Sequence, residues 1–258
     1  MLGLCCKSDK FNFPVIITVQ IKPLCNYEVI EVKYFEEGLN MTTYANDECK
    51  CAVCGTTKEY YGWCSATTFS GPDLDLRPAE MMRGTMREWV QSCPECGYVS
   101  SDVSNPTSVT REWLKSEKYR RCDGISFNSG LARKFYKYYL INLEDQKRKS
   151  AFFAVLHAAW ACDDAEDEEN AKRCREIAIP LATSLIEEEI EDEEERDNIK
   201  LIKADLMRRA DQFDELITTY SSVHFDDELL TQIIEFQIEK AKERDTACYR
   251  VEDVTGDE

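Results

Sequence analysis

CAVCG at residues 51–55 and SCPECGYVS at residues 92–100 are the stretches on which the fold turns. Each holds two cysteines three positions apart with a glycine after the second, and the pattern occurs nowhere else in the chain. Two thiolates at that spacing chelate one ion, with backbone amides turned toward the sulfurs, and the glycine takes the positive φ that closes the turn. Together the two knuckles offer four thiolates, Cys51, Cys54, Cys93 and Cys96. Four thiolates fill a tetrahedral site and leave no open position for a substrate. The expected ion is one structural Zn2+. Iron fits the same four-sulfur cage, and a redox dithiol is a third reading, although such a pair normally needs one Cys-x-x-Cys at the start of a helix in a βαβ unit.

The 38 residues between Cys54 and Cys93 exceed the roughly 15–20 of compact sites. An insertion therefore separates the knuckles, expected to include a helix opened by Pro78 and carrying Met82, Met86 and Trp89. Cys49 and Cys64 lie nearby and read as spectators, either of which could replace a lost ligand.

Working outward, charge divides the chain. Its 258 residues carry 32 Lys plus Arg against 50 Asp plus Glu, a net charge of -18. Residues 107–150 hold 11 basic and 5 acidic side chains, whereas residues 151–258 hold 12 and 31. The overall balance argues against generic nucleic-acid binding, which depends on phosphate neutralisation by cations. No apolar run reaches the about 18 residues that span a bilayer. PVIITVQI (14–21) is interrupted by Gln20 and lacks a cleavage site, so it does not read as a secretory signal. Thirteen cysteines, an odd number with six between Cys49 and Cys96, fit metal ligation in a reducing cytoplasm better than a disulfide scaffold.

The remainder reads as helix. TREWLKSEKYRRC (110–122) and LARKFYKYYLINLEDQKRK (131–149) form one pair, and AFFAVLHAAWA (151–161) follows. In NAKRCREIAIPLATSLIEEEIE (170–191), Ile177, Leu181, Leu185 and Ile190 share a side, with a break expected at Pro180. RDNIKLIKADLMRRA (196–210) and QFDELITTYSS (212–222) suggest a hairpin turning at Asp211. DDELLTQIIEFQIEKAKERD (226–245) opens with acids and ends with cations, as the helix dipole favours. The acidic run 187–197 reads as a solvated helix end, residues 246–258 as a flexible tail, and His157 as a packed side chain rather than a ligand or base. The aromatics of 135–139 read as core and their neighbouring lysines as partners of the acidic helices.

Residues 1–40 admit two readings. VIITVQIKPLCNYEVIEVKYF (15–35) alternates as a β-hairpin would. Alternatively, Glu36-Glu37-Gly38 can be encoded by a purine-rich ribosome-binding sequence that places the start at Met41.

CAVCG and CPECGY, followed by a polar linker and helices, resemble the bacterial domain-of-unknown-function 2225 family over about residues 45–245. The resemblance implies a zinc ribbon followed by helices similar to tetratricopeptide repeats, with Cys51, Cys54, Cys93 and Cys96 at the ligand positions. Ala52 stands where the first knuckle commonly has proline. ADLMRRADQFDELI (204–217) resembles a tetratricopeptide hairpin, with Asp211 in place of the usual glycine and Leu216 in place of a small alanine.

The expected architecture is therefore α+β, mainly α: a small β-rich zinc ribbon over 45–106, then an all-helical hairpin array over 107–245. The expected role is a non-enzymatic binding or scaffold protein for a protein or peptide partner, with no membrane association. A nucleic-acid accessory using segment 111–149 and, beyond it, a thiol redox switch or an enzyme assembled from scattered residues are the alternatives.

Overall fold

Two antiparallel hairpins hold the cysteine pairs at their tips. In the computed structural model, which describes residues 42–66, 68 and 70–256, β1 (Thr42–Lys50) pairs with β2 (Thr57–Ala66), and Lys50 faces Thr57 across the first knuckle. The second hairpin is much shorter: β3 (Gln91–Ser92) pairs with β4 (Val99–Ser100). Both readings of residues 1–40 fall outside the described residues.

Beyond the hairpins the chain is helical: α1 (Glu117–Arg120), α2 (Gly130–Glu144), α3 (Arg148–Asp163), α4 (Glu168–Ser184), α5 (Glu193–Arg209), α6 (Phe213–Tyr220), α7 (Glu228–Lys242) and α8 (Val251–Thr255). This is the α+β, mainly α class that the sequence implied. Starts are set by local chemistry. Ser129, Asp167, Asp192 and Asp227 each accept a backbone N–H from the first turn of α2, α4, α5 and α7, satisfying donors a helix leaves unpaired.

The helix ends share one device. Gln146, Glu166, Asp211 and Arg244 follow α3's predecessor, α3, α5 and α7 with φ of 57°, 52°, 63° and 57°. After each, the next amide bonds to the carbonyl five residues back, as Lys147 N does to Asn142 O and Gln212 N to Met207 O, both at 2.8 Å. That is the Schellman closure, here built on residues other than glycine. The tight turn expected at Asp211 is one of these four closures.

Several boundaries differ from the sequence reading. Residues 110–122 are not one helix: Ser116 takes an extended ψ of 155° and caps α1, leaving single turns at Trp113–Lys115 and Arg121–Gly124. Residues 131–149 split at Asp145–Lys147 for the same left-handed reason. The insertion forms a 3-10 turn, Arg83–Glu88, rather than a helix opened by Pro78. Pro180 sits inside α4 without ending it, and a π-turn, Leu185–Glu189, follows instead. One lost backbone bond is outweighed there by burial of Ala178, Ile179 and Ala182. The buried face of α4 is Ala171, Cys174, Ala178 and Ala182; of the side expected from sequence, Leu185 and Ile190 beyond the helix are buried, whereas Ile177 and Leu181 are only half-buried. Small residues on that face let α4 lie close to α3, whose Ala151, Ala154, Ala158 and Ala161 are also buried.

One buried cluster runs from Cys51, Cys93, Tyr98 and Val103 through Phe135 and Ile141 of α2 to α3, α5 and α7. The ribbon and the helices pack into this one cluster. The end of the chain is not a loose tail. Leu74 N donates to Tyr249 O and Val251 N to Pro72 O, and Gly71 N reaches Glu252 Oε1 at 2.6 Å, so the knuckle insertion clasps the C-terminal segment. Beneath this clasp Asp75 accepts from Trp160 Nε1 at 2.6 Å, and Arg77 chelates Asp164. Burial first, and then the neighbouring Asp205 charge, push the Asp75 carboxyl up to about 6.

His157 is packed, as its apolar surroundings suggested. The rings of Trp160, Trp89, Phe135 and Phe153 stand 4.8, 5.1, 5.2 and 6.3 Å from it. Burial, with Arg77 adding repulsion, lowers its pKa to about 3. A base depressed in the folded state withholds stability once the unfolded chain takes up the proton, below about pH 6.5. Because His157 is only partly buried, about 1–2 kcal/mol is expected to be lost between pH 7 and pH 5. His157→Phe should remove that share of the pH slope in urea titrations. An unchanged slope would mean that His157 is protonated in place.

Candidate metal centre

The two knuckles are built alike. Cys51 N donates to Thr56 O at 2.9 Å and Gly55 N to Cys51 O at 2.8 Å. In the second, Cys93 N donates to Tyr98 O at 2.8 Å and Gly97 N to Cys93 O at 2.9 Å. Gly55 and Gly97 both have φ of 75°, the left-handed value that a side chain would strain. Nothing lies within 4 Å of a Cβ placed on Gly97, so backbone conformation rather than crowding calls for glycine there.

These turns bring four sulfurs together. The Sγ atoms of Cys51, Cys54, Cys93 and Cys96 all lie within 4.8 Å of one another. Cys51 and Cys96 are 3.7 Å apart, and Cys54 and Cys93 3.5 Å. A tetrahedron with metal–sulfur bonds of about 2.3 Å has edges of about 3.8 Å, so these separations suit a single four-coordinate ion. Among the described residues this is the one group of three or more metal-ligating side chains gathered in this way.

Electrostatics point the same way. Burial raises the Cys51 thiol and raises Cys96 as well. Burial would also raise Cys54, but hydrogen bonds from Thr56 and the neighbouring thiols outweigh it and bring that group to about 6. Four acidic groups packed this closely cannot all ionise without a cation among them. Cys49 is set apart: its Sγ turns to Asp47, 3.9 Å away, and burial followed by Asp102 and Asp47 pushes it up to about 11. Cys64 lies on β2, with its side chain outside the described atoms.

Residues far from either motif support the knuckles. Ala52 N donates to Val103 O at 2.8 Å, Arg111 Nη2 to Cys54 O at 3.1 Å, and Tyr119 Oη to Gly97 O at 2.9 Å. Tyr98 is buried behind the second tip, its hydroxyl 3.4 Å from Asn105 O. Nothing in the sequence marked Val103, Arg111 or Tyr119 for this task, since their contacts cross 22 to 57 residues.

Five of the eleven basic side chains in the stretch 111–149 are ion-paired within the chain. Lys118 pairs with Glu144, Lys137 with Asp123, Lys147 with Asp145, Arg148 with Glu188 and Lys149 with Glu195. Only the last two reach the acidic region after α4, so the expectation that the lysines near 137 face the acidic helices is not met. Phe135 is fully buried, and Tyr136, Tyr138 and Tyr139 are partly so. No helix among the described residues is long and apolar enough to cross a membrane.

A family model, described as an uncharacterized protein conserved in bacteria (DUF2225), matches residues 86–245. No curated protein and no solved structure matches the chain. The match takes in Cys93, Cys96, Tyr98 and the helices through α7, and begins after the first knuckle. It is shorter at its start than the resemblance over 45–245 implied, so Cys51 and Cys54 join the site on geometry alone. With the second knuckle and the whole helical array inside the matched span, the chain belongs to the domain-of-unknown-function 2225 family.

Proposed function

We propose that the chain is a non-enzymatic binding or scaffold protein of the cytoplasm, in which one zinc ion held by Cys51, Cys54, Cys93 and Cys96 closes a ribbon that stiffens one end of a helical protein-interaction array. The observation that carries this reading is the closed set of four sulfurs within 4.8 Å. Four thiolates occupy every position of a tetrahedral ion, which suits a strut and leaves no place for a substrate. Zinc suits an all-thiolate site with no redox role, and iron is the competing occupant. No disulfide joins the nine cysteines with described side chains, which supports a reducing compartment. Helices joined by short left-handed turns and packed in sequence order support the array as a docking surface.

The net charge of -18 favours a protein or peptide partner over nucleic acid, and pairing of Lys118, Lys137 and Lys147 within the chain takes part of the basic segment out of play. The test has two arms on the purified full chain. Elemental analysis should return one zinc per chain, with neither iron nor an empty site. Labelled DNA and RNA oligonucleotides should show no salt-sensitive binding in the micromolar range, whereas basic amphipathic peptides should bind. Micromolar oligonucleotide binding abolished by replacing Arg133, Lys134 and Lys137 would reverse the choice of partner.

A further inference from the structure

Both knuckles are fastened to one stretch of chain, residues 103–121, through atoms at or beside a thiol. Val103 O takes the N–H of Ala52, next to Cys51. Arg111 donates to the carbonyl of Cys54 itself, and Tyr119 to that of Gly97, next to Cys96. The stretch has little structure of its own, only the turn at Trp113–Lys115 and the single turn of α1. Its ends are pinned to the helices instead. Thr107 Oγ1 and Ser108 N donate to Asp145 at 3.0 and 2.8 Å, and Lys137 of α2 lies 5.5 Å over the Tyr119 ring.

Resting on the metal reading above, we infer that residues 103–121 form a strap that closes only while the thiolate cluster is loaded, with Arg111 and Tyr119 as positioning residues for the knuckle carbonyls. The physical chain is short. The carbonyls of Cys54 and Gly97 point at the strap because each knuckle is a closed turn, with Gly97 held at φ of 75°. A cation at the centre of sulfurs 3.5–3.7 Å apart would bond the two knuckles to each other, and without those bonds the turns lose what fixes them. Tyr119, 4% exposed, would then keep a buried hydroxyl without its acceptor, which favours opening. The strap turns Val109, Leu114 and Tyr119 inward and Arg111, Lys115 and Lys118 outward, so opening exposes, beside cations already at the surface, an apolar face that the loaded state covers. Metal occupancy and the availability of that surface are thereby linked, and linkage acts in both directions.

Hydrogen exchange on the full chain, before and after chelation under reducing conditions, reads the first direction. Amides of 107–124 should exchange about tenfold faster or more on metal removal, by a larger factor than those of α4, and recover when zinc is returned. Zinc transfer to a chromophoric chelator reads the reverse direction. Tyr119→Phe should still hold one metal per chain yet release it about fivefold faster, the weight of one hydrogen bond, and Arg111→Ala should shift the same way. Unchanged protection of 107–124 after chelation, or wild-type transfer rates in both variants, would overturn the strap while leaving the metal reading intact. A purified chain that neither contains metal nor takes up zinc would overturn both.

Discussion

Cys93→Ser is expected to strip the metal and to lower the melting temperature of the whole chain by more than about 10 °C in one transition. Binding at four-thiolate zinc sites is worth on the order of 10 kcal/mol, comparable to the stability of a domain. Each 1 kcal/mol moves the melting point of a chain of this size by roughly 2–4 °C. The loss should be shared because Cys93 and Tyr98 lie in the same buried cluster as Phe135 of α2 and Phe152 of α3. Two separate calorimetric transitions, with the helical one at its wild-type temperature, would show that the array folds independently of the ribbon. Cys49→Ser and Cys162→Ser should keep a full equivalent of metal, since neither sulfur belongs to the group of four. Wild-type metal content in Cys93→Ser would mean that a neighbouring thiol ligates in its place.

The second large effect lies far from the metal. Arg208→Met is expected to cost about 3–5 kcal/mol, measured by urea unfolding, because it leaves a buried carboxylate unpaired. Arg208 is fully buried on α5 and donates in three directions: to Asp205 at 2.7 Å, to Gln237 of α7 at 2.5 Å and to the carbonyl of Asp245 at 2.8 Å. Its guanidinium also lies 5.2 Å over the Tyr249 ring. Removing it strands the Asp205 carboxylate, which would keep only Gln237 at 3.1 Å and a distant Arg209. Adding Asp205→Asn to Arg208→Met should return part of the loss by removing the uncompensated charge. A cost under about 1 kcal/mol for the single variant would show that water reaches the site and screens it.

Short-range chemistry was legible in the sequence. The cysteines of each knuckle are three positions apart, and that spacing with its glycine defines the turn whatever surrounds it. The starts of α4, α5 and α7 rest on an aspartate bonding to amides two or three residues ahead, and are equally local. Asp211 could be read as a turn residue because it separates two periodic runs, and the structure gives it a φ of 63°. His157 could be read as packed because its own helix is apolar on every side.

Tertiary structure decided whatever depends on partners that periodicity does not carry. The matching motifs imply that the two knuckles meet, but not how the 38 intervening residues fold to bring them together. The end of the chain reads as a loose polar tail, yet Gly71 and Glu252 meet across 181 residues and Cys248 meets Asp73 across 175. Arg208 looks like one more cation near a helix C-terminus, and only the arrival of α7 and residue 245 makes it the largest fully buried side chain. Hydrogen-bond spacing within a turn is set by bond lengths along the chain, whereas burial is set by which surfaces collapse together, a property of the whole fold rather than of any window of its sequence.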